Sequence, residues 1–121
     1  MTPSTMEVKE PDSVITTEVD LFTVRVNLSM PGLQVKKSFM KFTKPKPRNA
    51  KVTVKFEGRQ LEVNVIMEEK NVNYQFKIKK LPGPIVNCTE ECEKDRVILT
   101  LTKENEESWV ASLENGLETA T

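Results

Sequence analysis

Phe22, Val24, Val26 and Leu28 alternate with Thr23, Arg25 and Asn27, the period of two that marks a strand with one buried face. The same rhythm returns at Val52, Val54 and Phe56, at Leu61, Val63 and Val65, at Val72, Tyr74, Phe76 and Ile78, and at Val97, Leu99 and Leu101. Short turns at Glu57-Gly58-Arg59-Gln60 and Glu68-Glu69-Lys70-Asn71 separate the three central runs. Loops this short cannot cross over to a parallel neighbour, so residues of about 51–79 form an antiparallel meander. Pro82 and Pro84 cannot donate to a ladder, so the chain leaves that sheet and the run from Arg96 to Lys103 joins a second one. Val14 and Ile15 offer a brief first strand. Phe39, Met40 and Phe42 offer a short edge strand before the loop Lys44-Pro45-Lys46-Pro47-Arg48.

Seven short strands with regularly spaced turns predict an all-β fold, a seven-stranded antiparallel β-sandwich. No apolar stripe of helical period persists, and β-branched residues are plentiful, which argues against helices. Residues 12–114 are the expected domain, with segments 1–11 and 115–121 expected to be disordered ends.

A chain of 121 residues normally forms one domain with a modest core. Its 18 Lys and Arg balance its 18 Asp and Glu, so no overall field draws it to nucleic acid or membrane. The local distribution is uneven. Between Ser29 and Phe56 every charge is positive: Lys36, Lys37, Lys41, Lys44, Lys46, Arg48, Lys51 and Lys55. From Cys88 onward acids outnumber bases, giving a basic region and an acidic tail. No stretch has the apolar length of a membrane span, and the opening Met1 to Asp12 lacks the apolar core of a signal peptide. A cytoplasmic or nucleocytoplasmic protein, monomeric and not membrane-bound, is expected. In that setting Cys88 and Cys92, placed in a charged loop, are expected to be free thiols.

The chain has no histidine, which removes the usual general base, the Ser-His and Cys-His nucleophile pairs and most zinc sites. The carboxylate pairs Glu68-Glu69, Glu90-Glu91 and Glu106-Glu107 read as solvated turns and tails. Cys88-Thr89-Glu90-Glu91-Cys92 has one residue too many for the redox pair and lacks a second ligand pair. The isolated glycines form no phosphate cradle. No enzyme, cofactor or metal is expected. The basic region 36–55 has two readings. Lys44, Lys46 and Arg48, with Phe39 and Phe42 nearby, suit a phosphate backbone with stacked bases, or an acidic protein tail. Alternatively the aromatics belong to the core and the lysines protect a sheet edge. Trp109, the single tryptophan, either covers the end of the sandwich or stands exposed as a partner's anchor, and the covering role is the expected one.

The segment from Val52 to Leu113 resembles the CS domain, the module of CHORD-containing proteins, Sgt-type co-chaperones, the Siah-interacting protein and the small acidic co-chaperone of heat-shock protein 90. The resemblance is carried by Val52-Thr53-Val54-Lys55-Phe56, Leu61-Glu62-Val63-Asn64-Val65 and Tyr74-Gln75-Phe76-Lys77-Ile78. Its most specific part is Pro84-Ile85-Val86, then Arg96-Val97-Ile98-Leu99-Thr100-Leu101-Thr102-Lys103, then Trp109-Val110-Ala111-Ser112-Leu113-Glu114. It implies a sandwich like that of the small heat-shock proteins, without catalytic activity, that serves as a co-chaperone or adaptor. The partners it implies are heat-shock protein 90, or a ubiquitin-pathway or other client protein. CS domains also occur attached to reductases, ubiquitin-pathway enzymes and tudor or helicase proteins, so the resemblance is compatible with one domain of a larger polypeptide. In Sgt-type members the chaperone-binding face uses an aromatic late in the second strand and a Lys-x-Glu pair in the last. Here those positions are Asn27, and Arg96 with Ile98; of the pattern, the positive charge at Arg96 is kept. The amino-terminal third also departs from the family, since Asp12-Ser13-Val14-Ile15-Thr16-Thr17 has no aromatic residue.

Overall fold

The alternating runs are strands whose inward residues meet in a single core. A computed structural model describes residues 7–36 and 46–113. The strands are β1 (Glu7–Lys9), β2 (Ser13–Glu18), β3 (Thr23–Ser29), β4 (Val35–Lys36), β5 (Lys46–Pro47), β6 (Lys51–Glu57), β7 (Gln60–Met67), β8 (Val72–Ile78), β9 (Ile85–Glu93) and β10 (Arg96–Lys103), followed by one turn of helix, α1 (Val110–Leu113). Two four-stranded sheets are ordered β1-β8-β7-β6 and β2-β3-β10-β9, and β4 and β5 form a small ribbon of their own. The fold is therefore all-β and sandwich-like, with eight strands in its main sheets where seven were expected.

The expected meander is present as β6-β7-β8, in antiparallel register from Lys51↔Ile66 to Met67↔Val72. Gly58 occupies the first position of the two-residue β6–β7 turn at a φ of +58°, where a II′ hairpin demands a backbone that glycine adopts freely. Beyond the proline crossing, β9 and β10 form a hairpin, and β10 pairs along its length with β3. Asp95 turns that hairpin at φ +62°, a conformation that Asp tolerates better than most residues.

Three expectations need correction. Residues 7–9, placed in a disordered end, form β1, which lies parallel to β8 with Val8 opposite Asn73. Its residues are all exposed, so it carries no hydrophobic alternation and depends on backbone pairing to a free sheet edge. That pairing also makes the set of strands not wholly antiparallel. Second, Cys88 and Cys92 lie in β9 and not in a loop. β9 is an edge strand in which only Ile85, Cys88 and Cys92 are buried, and a bulge breaks its register opposite Thr102 and Lys103. The extra residue is Val86, which is 54% exposed, and a bulge scrambles the period of two in this way. The third concerns the expected loop Lys44–Arg48: its residues Lys46 and Pro47 form β5, where Pro47 pairs with Val35 and Lys46 with Lys36, contacts too brief to leave a pattern. The proposed strand at Phe39, Met40 and Phe42, and Lys44 after it, lie outside the described residues.

Val24, Val26, Leu28, Val97, Leu99 and Leu101 face Leu61, Val63, Val65, Tyr74, Phe76 and Ile78 across the core, and Met30, Leu33, Leu81 and Trp109 close its ends. Trp109 is 1% exposed, in keeping with its covering role. Its backbone N–H donates to Glu18 Oε1 at 2.6 Å and its indole N–H to Glu107 Oε1 at 3.2 Å. Gly83 lies beneath it, and a Cβ there would come within 3.2 Å of the indole nitrogen. Beside the ring is a feature that the alternating pattern of β10 did not announce. Lys103, which follows Val97, Leu99 and Leu101 on the inner side, is buried and bonded to Glu18 Oε1 at 2.5 Å. Its ammonium also donates to the Glu107 carbonyl at 2.5 Å and sits 5.2 Å from the centre of the Trp109 ring. A charge so fully desolvated is tolerable only with this set of acceptors and the π face.

Candidate functional site

On the outer face of the β2-β3-β10-β9 sheet, cross-strand pairing gathers residues that are far apart in sequence. Ile15, Asn27, Ile98 and Glu91 form one row across the four strands, and Ser13, Ser29, Arg96 and Glu93 form the next. Since side chains alternate along a strand, these two rows share a face and are adjacent on it. Asn27 and Ile98 are direct partners, and Arg96 is two residues from Ile98 on the same strand. The three positions named from the family resemblance therefore form one patch. Ile15 belongs to the same patch and is 61% exposed. Sequence reasoning placed Ile15 in a strand without assigning it to the site. The signal was there: in the apolar pair Val14-Ile15, strand geometry sends one of the two outward.

The patch sets two isoleucines, flanked in their row by Asn27 and the exposed Glu91, beside a row that carries the Arg96–Glu93 pair. Arg96 Nε donates to Glu93 Oε1 at 2.8 Å, and Nη2 donates to the same oxygen. This ion pair is about half exposed, so it holds the guanidinium in place while contributing little to stability. Arg25 and Thr100 continue the face one row further on. Nothing in this arrangement places a nucleophile beside a base. It can bury isoleucine side chains against a partner and offer Arg96 to an acid or a carbonyl.

The remaining predicted contacts are separate from the patch. Arg48 follows the β4–β5 ribbon, where its exposed residue is anchored by a backbone N–H donated to the Gln34 carbonyl at 2.8 Å. Lys46 enters the ribbon through backbone pairing with Lys36, and Lys44 is outside the described residues. The structure thus brings together Asn27, Arg96 and Ile98 and leaves Arg48 on another element. An open groove of about 370 Å³ lies on the other sheet, lined by Lys55, Phe56, Leu61, Glu62, Lys77 and Lys79 among others.

Cys88 and Cys92 are both buried and unpaired with each other. Four residues along an extended strand span about 13 Å, well beyond the reach of a disulfide. Burial, with Glu90 nearby, pushes the Cys88 thiol up to about 12 and also raises Cys92. A thiolate is the reactive form, so neither group is prepared for nucleophilic or redox work. At about pH 8, native protein should react with iodoacetamide on the order of a hundredfold more slowly than the same protein in denaturant. Equal rates would show that β9 opens readily.

Among the described residues no helix is long and apolar enough to cross a membrane. No protein-family model matches the chain, and a search of curated proteins finds no match.

Proposed function

We propose that this chain is a non-catalytic protein-interaction module of CS type, a co-chaperone or adaptor that receives its partner on the outer face of the β2-β3-β10-β9 sheet. The observation that carries the reading is that Asn27, Arg96 and Ile98, the positions the CS resemblance names, form a single patch, which Ile15 extends. Removing β1 from the main sheets leaves β2, β3 and β6 to β10. These are seven strands with antiparallel pairing throughout, which also favours the CS reading. Lacking the family's aromatic and acidic residues at Asn27 and Ile98, the patch favours a partner surface that is apolar opposite the isoleucines and acidic opposite Arg96. The amino-terminal domain of heat-shock protein 90 is the first partner to try, and a ubiquitin-pathway client the second.

The test is a titration of isotope-labelled protein with that chaperone domain, followed by NMR. Binding through the patch perturbs Ile15, Asn27, Arg96 and Ile98, and Ile98→Asp or Arg96→Glu weakens it by about tenfold or more. Ile98 is half-buried and Arg96 exposed, so Arg96→Glu tests binding with little risk to the fold. Perturbations confined to Arg48 and its ribbon, with steeply salt-dependent binding of single-stranded RNA, would replace this reading with a nucleic-acid module.

A further inference from the structure

The end of the molecule nearest Trp109 carries a second surface, unrelated to the Ile98 patch. The turn between β2 and β3 reads Val19-Asp20-Leu21-Phe22, and its three apolar residues are 49%, 44% and 47% exposed. Turns at strand ends ordinarily use Gly, Asn, Asp or Ser. Three large apolar side chains side by side at such a turn form the kind of exposed patch that marks a contact surface.

The turn is also tied down by hydrogen bonds. Val19 N–H donates to the Thr23 carbonyl at 2.9 Å, and Phe22 N–H donates to Asp20 Oδ1 at 2.8 Å. From the end of β10, Lys103 N–H donates to the Phe22 carbonyl at 2.7 Å, and from beyond it Glu107 N–H donates to the Leu21 carbonyl at 3.2 Å. These last two bonds hold the loop 104–106 against the turn. The tip is thus fixed before any partner arrives, which limits the ordering cost of binding.

The surroundings of the tip are acidic. Asp20, Glu104 and Glu106 are exposed and Glu107 is half-buried. Lys103 is buried in its ion pair with Glu18 and offers no positive charge at the surface. We infer that the 19–22 turn is a docking tip for a basic amphipathic segment of a partner protein, its apolar residues packing on Leu21 and Phe22 and its lysines or arginines facing Asp20, Glu104 and Glu106. Charge complementarity selects this occupant. An anionic membrane would be repelled by the same acids, and two copies of the tip would repel each other.

The probe is a synthetic amphipathic peptide with leucine on one face and lysine on the other, titrated into isotope-labelled protein. Shifts should be confined to 19–22 and 104–107. Affinity should fall about tenfold in Phe22→Ser and in the doubly reversed Glu104→Lys, Glu106→Lys protein. The second variant alters exposed side chains only, so it keeps its melting temperature and remains informative if Phe22→Ser unfolds. Four results would overturn the inference: shifts elsewhere, equal binding of a peptide with glutamate in place of lysine, binding to phosphatidylserine vesicles through the same residues, or self-association in sedimentation that Phe22→Ser abolishes.

Discussion

Trp109→Ala lowers stability by about 3–5 kcal/mol, the range for removing a fully buried large aromatic side chain. The loss should fall toward the upper end of that range. The Trp109 ring covers the Lys103 ammonium and the end of the core over Gly83, so its removal opens a path for water to the ion pair. Denaturant unfolding monitored by circular dichroism measures the effect. An unchanged midpoint would show that the tryptophan is a dispensable cover, and would return it to consideration as a partner's anchor. Trp109→Phe, which keeps much of the area but loses the N–H to Glu107, should fall between wild type and alanine.

The second large effect comes from separating Glu18 and Lys103. Glu18→Ala strands an ammonium whose side chain is 0% exposed, and removal of one partner is the damaging way to break a buried pair. A fall in melting temperature on the order of 10 °C is expected. Adding Lys103→Met should restore most of it, because the stranded charge is then gone and the methionine fills similar volume. A double variant no more stable than Glu18→Ala would mean that the carboxylate's bonds to Trp109 and Ser108 matter more than its bond to Lys103. The same pair sets an acid limit. The Lys103 bond, then the Trp109 N–H and Ser108, hold the Glu18 carboxyl below its ordinary value of 4.5. Asp20 is likewise held low by the Phe22 N–H and then by Thr23. The unfolded chain therefore binds more protons than the folded one in acid. This contribution is complete above about pH 4.5 and disappears as pH falls through the lowered folded values. Melting temperatures across that range should fall less steeply in Glu18→Gln than in wild type.

These effects concentrate at one end of the molecule, and that end was the least legible part of the chain. The central meander was plain in sequence, because Leu61, Val63, Val65 and their neighbours alternate without interruption and their turns are short. The runs that become β3 and β10 were equally plain as strands, though not as partners. β9 was hidden by its bulge and by an edge position that leaves 89–91 exposed, so its apolar residues fall at irregular intervals. β1 was hidden because a strand held by backbone bonds alone has no pattern to show. Of the candidate site, Arg96 and Ile98 were legible as outward residues of an alternating strand. Their meeting with Ile15 depends on register between strands, which no local pattern encodes.

The sequence by itself determined that this chain is a β protein with one core and no histidine-based chemistry, since strand period and residue types are local properties. Only the tertiary structure decided which strands pair, that Ile15, Asn27 and Ile98 share a row, and that Lys103 is buried. The physical reason is that burial and cross-strand contact belong to pairs of distant segments. A lysine on an inner position reads from sequence as the end of a strand, until the Glu18 carboxylate and the Trp109 ring, 85 residues before it and a short loop after it, are brought to its side.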